Sequence, residues 1–401
     1  MKFSNARVLD FGWNWTGPMA GRFLADLGAQ VIKIESPKRP DPIRYIPGKK
    51  IKQADHGLVR NPKFETHPFF HNVNRGKFGF TVDLTKVEGK ALLEELISKS
   101  DAIIENFSAG VLDRMGLSYE RLVKIKKDII VVSMSIAGQK GPKNKIKGYA
   151  AVSTGLGGLE ANIGYDGECT GGLTFAYGDP NGAMFGIFAL ACAFYHKERT
   201  GKGLYVDLSQ MEAITSLLHE AFWLHHLVPG ELGAKVRRGD GHIVNDVFPC
   251  RGKDKWIAIS VSNPITLVGL SQLIPSIRGI TDDGNQSFLD KIGKAITEWT
   301  SDRLSDEAFE LLQRNGVPAA PVLNVNHLPH DPHFKARNIA EIVDHPLVGE
   351  ETTVNLPWKF SGYRPDYNRA PYLGEHTVKI LKEILSKSDA EIEDLKKKEI
   401  I

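Results

Sequence analysis

The chain opens with a strand, a helix and a second strand joined by very short connections, and this order leaves few folds available. Val8 to Phe11 is a short apolar run, Pro18 to Leu27 reads as a helix ending at Gly28, and Val31 to Ile34 is apolar again. Such a unit brings its two strands side by side and parallel. The alternation continues. Phe78, Phe80, Val82 and Leu84 recur at the strand period, Glu88 to Ile97 is an amphipathic helix, and Ala102 to Ile104 is apolar. Ser118 to Lys126 reads as a helix and Ile129 to Ser133 as a strand. The expected fold class is α/β with a parallel sheet, and ligands of open sheets bind at the carboxyl ends of the strands.

The turn after the first strand, GWNWTGPMAG, has its glycines at 12, 17 and 21. A dinucleotide fingerprint needs GxGxxG, so this spacing argues against a nicotinamide enzyme, although Glu35 stands where such proteins carry a ribose-binding acid. Trp13 and Trp15 read as loop packing or as a pocket wall. Residues 36 to 70 are rich in Pro, Lys and Arg and lack periodicity, as in a long functional loop. Arg75, Lys77, Arg114 and Lys147 lie near predicted element ends. Each reads as a ligand contact or, taken alone, as a solvated surface charge.

Residues 138 to 172 are glycine-rich and loop-like, and they lead to GGLTFAYGDPNGAMFG. Asp179 precedes Pro180 and an apolar run from Ala183 to Tyr195. Asp is a favoured N-cap and Pro a favoured first helical residue, so a helix starts here. The run is apolar on all faces, which predicts a mostly buried helix. Gly182 and Gly186, one turn apart, would let another backbone come close. Asp179 has two readings: a structural cap, or a nucleophile kept ionised by the helix dipole. The local sequence does not choose between them. Leu204 to Leu208 then reads as a strand and Ser209 to Leu227 as a helix.

A chain of 401 residues is long for one core, and two domains are expected. A net charge of +3 is too mild for nucleic acid and suits an anionic ligand. The three cysteines lie far apart, with no CxxC pair, which suggests a reducing compartment and no zinc site. His219-Glu220 begins like a zincin motif, but Trp223 occupies the second histidine position. No signal-peptide core or membrane-length apolar run is seen, so a cytoplasmic protein is expected. After Pro229, Val247 to Cys250 and Trp256 to Val261 read as a hairpin, and Phe288 to Thr300 and Asp306 to Asn315 as helices. Strands are expected within 342 to 360, and helix from His376 to Lys398.

Seven landmarks occur in order: VLDFGWNWTGPMAGRFLADLGAQVIKIE, NRGKFGFTVDL, ENFSAGVLDRMGLSYERL, GQKGP, YGDPNGAMFG, GVPAAPV and LGEHT. Together they resemble the class III coenzyme A transferases, the formyl-CoA and crotonobetainyl-CoA transferase family. The resemblance implies a large Rossmann-like domain built from both chain ends (1–225 and 331–401) and a smaller α+β domain between them (226–330). It implies an interlocked-ring dimer, of this chain or with a related subunit. It places the catalytic Asp at Asp179 and coenzyme A contacts at Asn106, Phe107, Arg114, Met115, Lys147 and Tyr149. Acyl-CoA and a carboxylic acid would be substrates, with no metal and no tightly bound cofactor, and with neither nucleic acid nor membrane as partner.

The chain departs from the formyl-CoA transferases in three places. RRGDGHIVNDVF stands where their tetraglycine flap lies, Ala150 replaces an acid, and Trp15 aligns near a pocket glutamine. A bulkier, more apolar acyl group follows, such as an aryl or branched acid of the benzylsuccinate type. An α-methylacyl-CoA racemase of the same fold would need a His base, yet no His lies between His71 and His196. A non-catalytic partner subunit is the other alternative, and the intact GDPNG argues against it.

Overall fold

The computed structural model describes residues 3–44, 65–165, 168–169, 173, 175–227, 243–280 and 286–401. Half of the expected 36–70 loop, and the start of the RRGDGHIVNDVF segment, lie outside these residues.

Six strands form one sheet: β1 (Arg7–Asp10), β2 (Gln30–Glu35), β3 (Phe78–Thr81), β4 (Ala102–Glu105), β5 (Ile130–Ser135) and, after the two-residue strands β6 (Gly164–Tyr165) and β7 (Glu168–Cys169), β8 (Tyr205–Ser209). Their order is β3-β2-β1-β4-β5-β8 and every pairing is parallel, with Val8 opposite both Val31 and Ala102. The order reverses between β1 and β4, which is the Rossmann arrangement.

Strand residues alternate between two cores, one on each face of the sheet. Val8, Val31, Ile104 and Val132 pack with helices α1 (Thr16–Asp26) and α7 (Gly178–Thr200). Leu9, Ile32, Ile103 and Val131 pack with α3 (Val87–Ser98) and α5 (Tyr119–Ile125). The second core is completed from the far end of the chain by Leu381 of α14 (Thr377–Glu383), Ile392 of α15 (Asp389–Lys397) and Ile400. A single helix expected from 376 to 398 is thus two, parted where Ser386 takes a φ of 54°.

The chain divides into two compact units, one of residues 1–164, 168–234 and 338–401, the other of residues 165–167 and 235–337. In the second unit β9 (Val244–Pro249), β10 (Trp256–Val261) and β11 (Ala319–Pro321) form an antiparallel sheet. Helices α10 (Pro264–Leu273), α11 (Gln286–Ser301) and α12 (Ser305–Arg314) belong to the same unit. Ile257, Ile259, Leu270, Ile292 and Leu312 make its core.

Several features differ from the expectations. The glycine-rich 138–172 region contains helix α6 (Ala150–Leu156), and the Ser209–Leu227 helix is split into α8 (Gln210–Thr215) and α9 (His219–Leu227). Residues 68–74, partly assigned to loop, form α2 (Pro68–Asn74), with Pro68 at its first turn. Helix α7 is not apolar-buried all round, since Met184, Phe188, Cys192 and Tyr195 form an exposed stripe. Among the described residues no helix is long and apolar enough to cross a membrane.

Candidate active site

Buried ion pairs fasten the loops at the carboxyl edge of the sheet. Lys77 Nζ reaches Asp10 at 2.6 Å and also the Pro18 carbonyl and Asn74 Oδ1. Asp10 Oδ1 in turn accepts the Gly12 N–H at 2.8 Å. Lys33 pairs with Asp41 at 2.7 Å. Glu35 holds Arg44 through two contacts of 2.9 and 2.8 Å, and Arg44 extends to Glu65 at 2.7 Å. A carboxylate committed in this way is not a ribose ligand. Arg75, bidentate on Asp26, and Lys77 are likewise buried structural cations rather than solvated charges or ligand contacts. Desolvation pulls the Lys77 ammonium down to about 8 against the opposing field of Asp10.

At the reversal point the turn after β1 meets the end of β4. Asn106 Oδ1 accepts the Trp13 N–H at 2.8 Å, and its Nδ2 donates to the Trp13 carbonyl at 2.9 Å. The Asn106 amide therefore ties the two loops together. Trp13 meets Phe107 edge-on, with ring centroids 5.9 Å apart, and the Arg39 guanidinium lies 5.0 Å above the Trp13 ring. Gly17 is required by this closeness, because a Cβ there would lie 2.8 Å from Asn106 Oδ1.

The same turn delivers Thr16 to the start of α7. Asp179 is not the N-cap, as the helix begins one residue earlier at Gly178 and Tyr177 makes no side-chain cap. Its Oδ1 instead accepts a 2.6 Å hydrogen bond from the Thr16 hydroxyl, 163 residues away in sequence. Burial raises the Asp179 carboxyl above its ordinary range and the Thr16 bond opposes the shift, so the helix end alone does not set its ionisation. The backbone N–H groups from Gly178 to Gly182, which at a helix start could serve as oxyanion donors, are partly committed. The Asp179 N–H bonds to Ala176 O at 3.2 Å, the Asn181 N–H bonds to Tyr177 O at 3.1 Å, and Pro180 has none.

Glycines let α7 sit this close. A Cβ on Gly178 would fall 2.1 Å from Ser153 Oγ, and one on Gly182 would fall 2.9 Å from the Gln210 side chain. The partner of Gly186 is the Met134 side chain, 2.3 Å from where a Cβ would be, and not another backbone.

Of the residues assigned to coenzyme A, Asn106 and Phe107 lie half-buried at this edge. Arg114 is exposed and Met115 half-buried at the end of the four-residue helix α4 (Val111–Arg114). Lys147 and Tyr149 are exposed immediately before α6, where Ala150 is buried against Gly178. Thr16 went unnoticed in the sequence, since nothing near it marks a contact so remote. Glu105 was missed too: it is buried at the end of β4, accepts the Phe107 N–H at 2.6 Å, and desolvation pushes its carboxyl up to about 7.

A six-stranded parallel sheet with a core on each face and a reversal of strand order defines a doubly wound α/β fold. Residues 3–377 match the model of CoA-transferase family III, and the chain belongs to that family. It is similar to the succinyl-CoA–L-malate CoA-transferase alpha subunit of Chloroflexus aurantiacus, at 30% identity over 100% of this chain and 93% of that protein. The formyl-CoA:oxalate CoA-transferase of Escherichia coli is 29% identical over 98% of each chain. The crystal structure of a CAIB/BAIF family protein from Brucella suis superposes with a TM-score of 0.79, at 26% identity over 95% of this chain and 98% of that one. The enzyme is accordingly a CoA-transferase.

Proposed function

We propose that this enzyme moves coenzyme A from an acyl-CoA donor to a free carboxylic acid through covalent intermediates on Asp179. The observation that carries this reading is the placement of the Asp179 carboxylate in the first turn of α7, with Oδ1 held by Thr16 at 2.6 Å. A carboxylate so fixed loses little orientational freedom on attack. One Asp179 oxygen adds to the thioester carbonyl, the C–S bond breaks, and coenzyme A leaves as its thiolate. The thiolate attacks the aspartyl carbonyl of the resulting anhydride, releasing the donor acid and leaving an aspartyl-CoA thioester. The acceptor carboxylate attacks that thioester, and the returning thiolate takes the acceptor's acyl group.

The acceptor is proposed to be larger and more apolar than formate or oxalate. Trp15, next to Thr16, packs on Phe69 at 5.6 Å, and Phe175 packs edge-on against Tyr177, two residues before Asp179, at 5.7 Å. Arg114 and Lys147, both exposed, suit the anionic nucleotide end of coenzyme A. We further infer assembly with a second chain, the same or related. The exposed α7 stripe and Phe222, Trp223 and Leu227 of α9 are apolar surface of the kind that partners cover. One relative is itself named an alpha subunit.

The test is chemical. Acyl-CoA alone should leave coenzyme A covalently attached to the peptide containing Tyr177 to Met184, and hydroxylamine should trap the same site. Asp179→Asn should keep the fold and lose transfer. Near-normal turnover of Asp179→Asn, with deamidation excluded, would refute the covalent route.

A further inference from the structure

Away from Asp179 the large unit brings two histidines and a glutamate together. His71 lies on α2, while His345 and Glu351 lie on a hairpin of β12 (Ala340–His345) and β13 (Gly349–Val354). Val343 is directly opposite Glu351 and His345 opposite Gly349, so His345 and Glu351 project from one face of the hairpin as diagonal neighbours. The His71 and His345 rings stack with centroids 4.3 Å apart. One ligand atom from each of the three residues lies within 4.8 Å of the other two. Both histidines are buried and Glu351 is one-quarter exposed, so the group has a single wet side.

The hydrogen bonds of His71 are unusual. Nε2 is 2.8 Å from the Glu65 carbonyl oxygen, and Nδ1 is 2.6 Å from Glu351 Oε1. A backbone carbonyl only accepts, and an ionised carboxylate only accepts. A neutral imidazole has one N–H to offer them. With that N–H directed at Glu65, the Nδ1 lone pair faces a carboxylate, a pairing relieved either by a second ring proton or by a bound cation. A ring N–H directed at a backbone carbonyl is also how proteins orient a histidine that binds metal through its other nitrogen.

We propose that His71, His345 and Glu351 form a binding site for a divalent ion of the zinc type. Two imidazoles and a carboxylate make a donor set suited to zinc, with a further position left for water. A cavity of about 150 Å³ beside His71 and Glu351 gives that position room. Two cations line the cavity, and each is already neutralised. Arg75 is bidentate on Asp26 at 3.0 and 2.7 Å, and Arg369 is paired with Glu375. The ion would join α2, near the start of the chain, to a hairpin some 270 residues later. Its work is structural: it holds the segment that carries Glu65 and Phe69 against the C-terminal part of the large unit. The sequence held no sign of the site, because its ligands are scattered and the spacing of known zinc motifs is absent.

The experiment uses the full chain, stripped with a chelator and equilibrated with zinc or with cobalt as a spectroscopic stand-in. Bound metal is measured by mass spectrometry after dialysis, and the cobalt protein is read by its visible absorption. A single ion per chain is expected, with cobalt bands of a low-coordinate nitrogen-containing site and a higher melting temperature with zinc than without. His71→Gln, His345→Gln and Glu351→Gln should each weaken binding roughly tenfold or more. Glu351→Gln preserves the size of the side chain and carries the test if a histidine variant does not fold. Three results would overturn the proposal: no zinc uptake at micromolar free metal, uptake unchanged in Glu351→Gln and His345→Gln, or nitrogen NMR showing both His71 ring nitrogens protonated in the presence of zinc. The last would mean that a proton alone bridges His71 and Glu351.

Discussion

Replacing Thr16 by Val tests what the 2.6 Å bond does for Asp179. Thr16 is fully buried, and Val keeps its branched shape while removing the hydroxyl. Burial already raises the Asp179 carboxyl, and the Thr16 bond is the contribution that opposes it. A hydrogen bond to a charged group is worth about 1.5–3 kcal/mol. Losing it should therefore raise the Asp179 carboxyl further above its ordinary range. On the covalent route proposed for Asp179 only the ionised carboxylate attacks a thioester, so the acid limb of kcat/KM against pH should move to higher pH. At high pH, where both forms of the enzyme are ionised, the two rates should converge to within the smaller loss from freer carboxylate orientation. Initial rates of transfer from an acyl-CoA to a free acid, measured across the acid range, are sufficient. Thr16→Ser, which restores the donor, should return the limb toward its original place. If the limb stays fixed in Thr16→Val while the whole profile drops, Thr16 does not act through Asp179 ionisation and the reasoning fails.

Glu105, pushed up to about 7 from an ordinary 4.5, should make stability fall as pH rises through that window, because there the folded chain binds a proton that the unfolded chain does not. Glu105→Gln should flatten the slope and gain about 3 kcal/mol above pH 7, as read from urea midpoints against pH; parallel slopes in the two proteins would exclude Glu105 as the cause. Arg114→Ala and Lys147→Ala should each raise KM for chemically different acyl-CoA donors by similar factors, and an effect confined to one acyl group would assign these residues to the acyl pocket instead. Light scattering should show more than one chain per particle even on dilution, whereas a stable, active monomer would remove the role given to the exposed stripe on α7.

Much of the α/β frame can be read from the residues because local physics sets it. Val8 and Leu9, or Ile103 and Ile104, are neighbours that face opposite cores, as the two-residue period of a strand requires. Helix α6 escaped notice because Gly148, Gly155, Gly157 and Gly158 around it read as loop. Gly148 and Gly157 serve packing instead: a Cβ there would lie 2.4 Å from the Val152 side chain and 2.7 Å from Ile214. Asp179 could be singled out from Asp-Pro at a helix start, but its real partner could not. A hydrogen bond between Thr16 and a residue 163 positions away leaves no periodic trace. Lys77 and Arg75 show the same limit. A lysine in NRGKFGF has the appearance of surface, and only the return of Asp10, Pro18 and Asn74 around its ammonium turns it inward.

The last helices of the chain bear on how the protein is made. Leu381, Ile392 and Ile400 lie in the same core as Leu9, Ile32 and Leu96, and the Asp83 N–H is bonded to the Ile400 carbonyl at 2.7 Å. Synthesis reaches these residues after everything they cover. While the ribosome is still working through the second unit, the parallel sheet has its strands but one of its faces lacks part of its cover. An unfinished sheet of this kind is sticky, since its apolar face and long-range pairings mature late. The chain therefore carries a built-in delay between making the strands of its sheet and closing the core on one face of it.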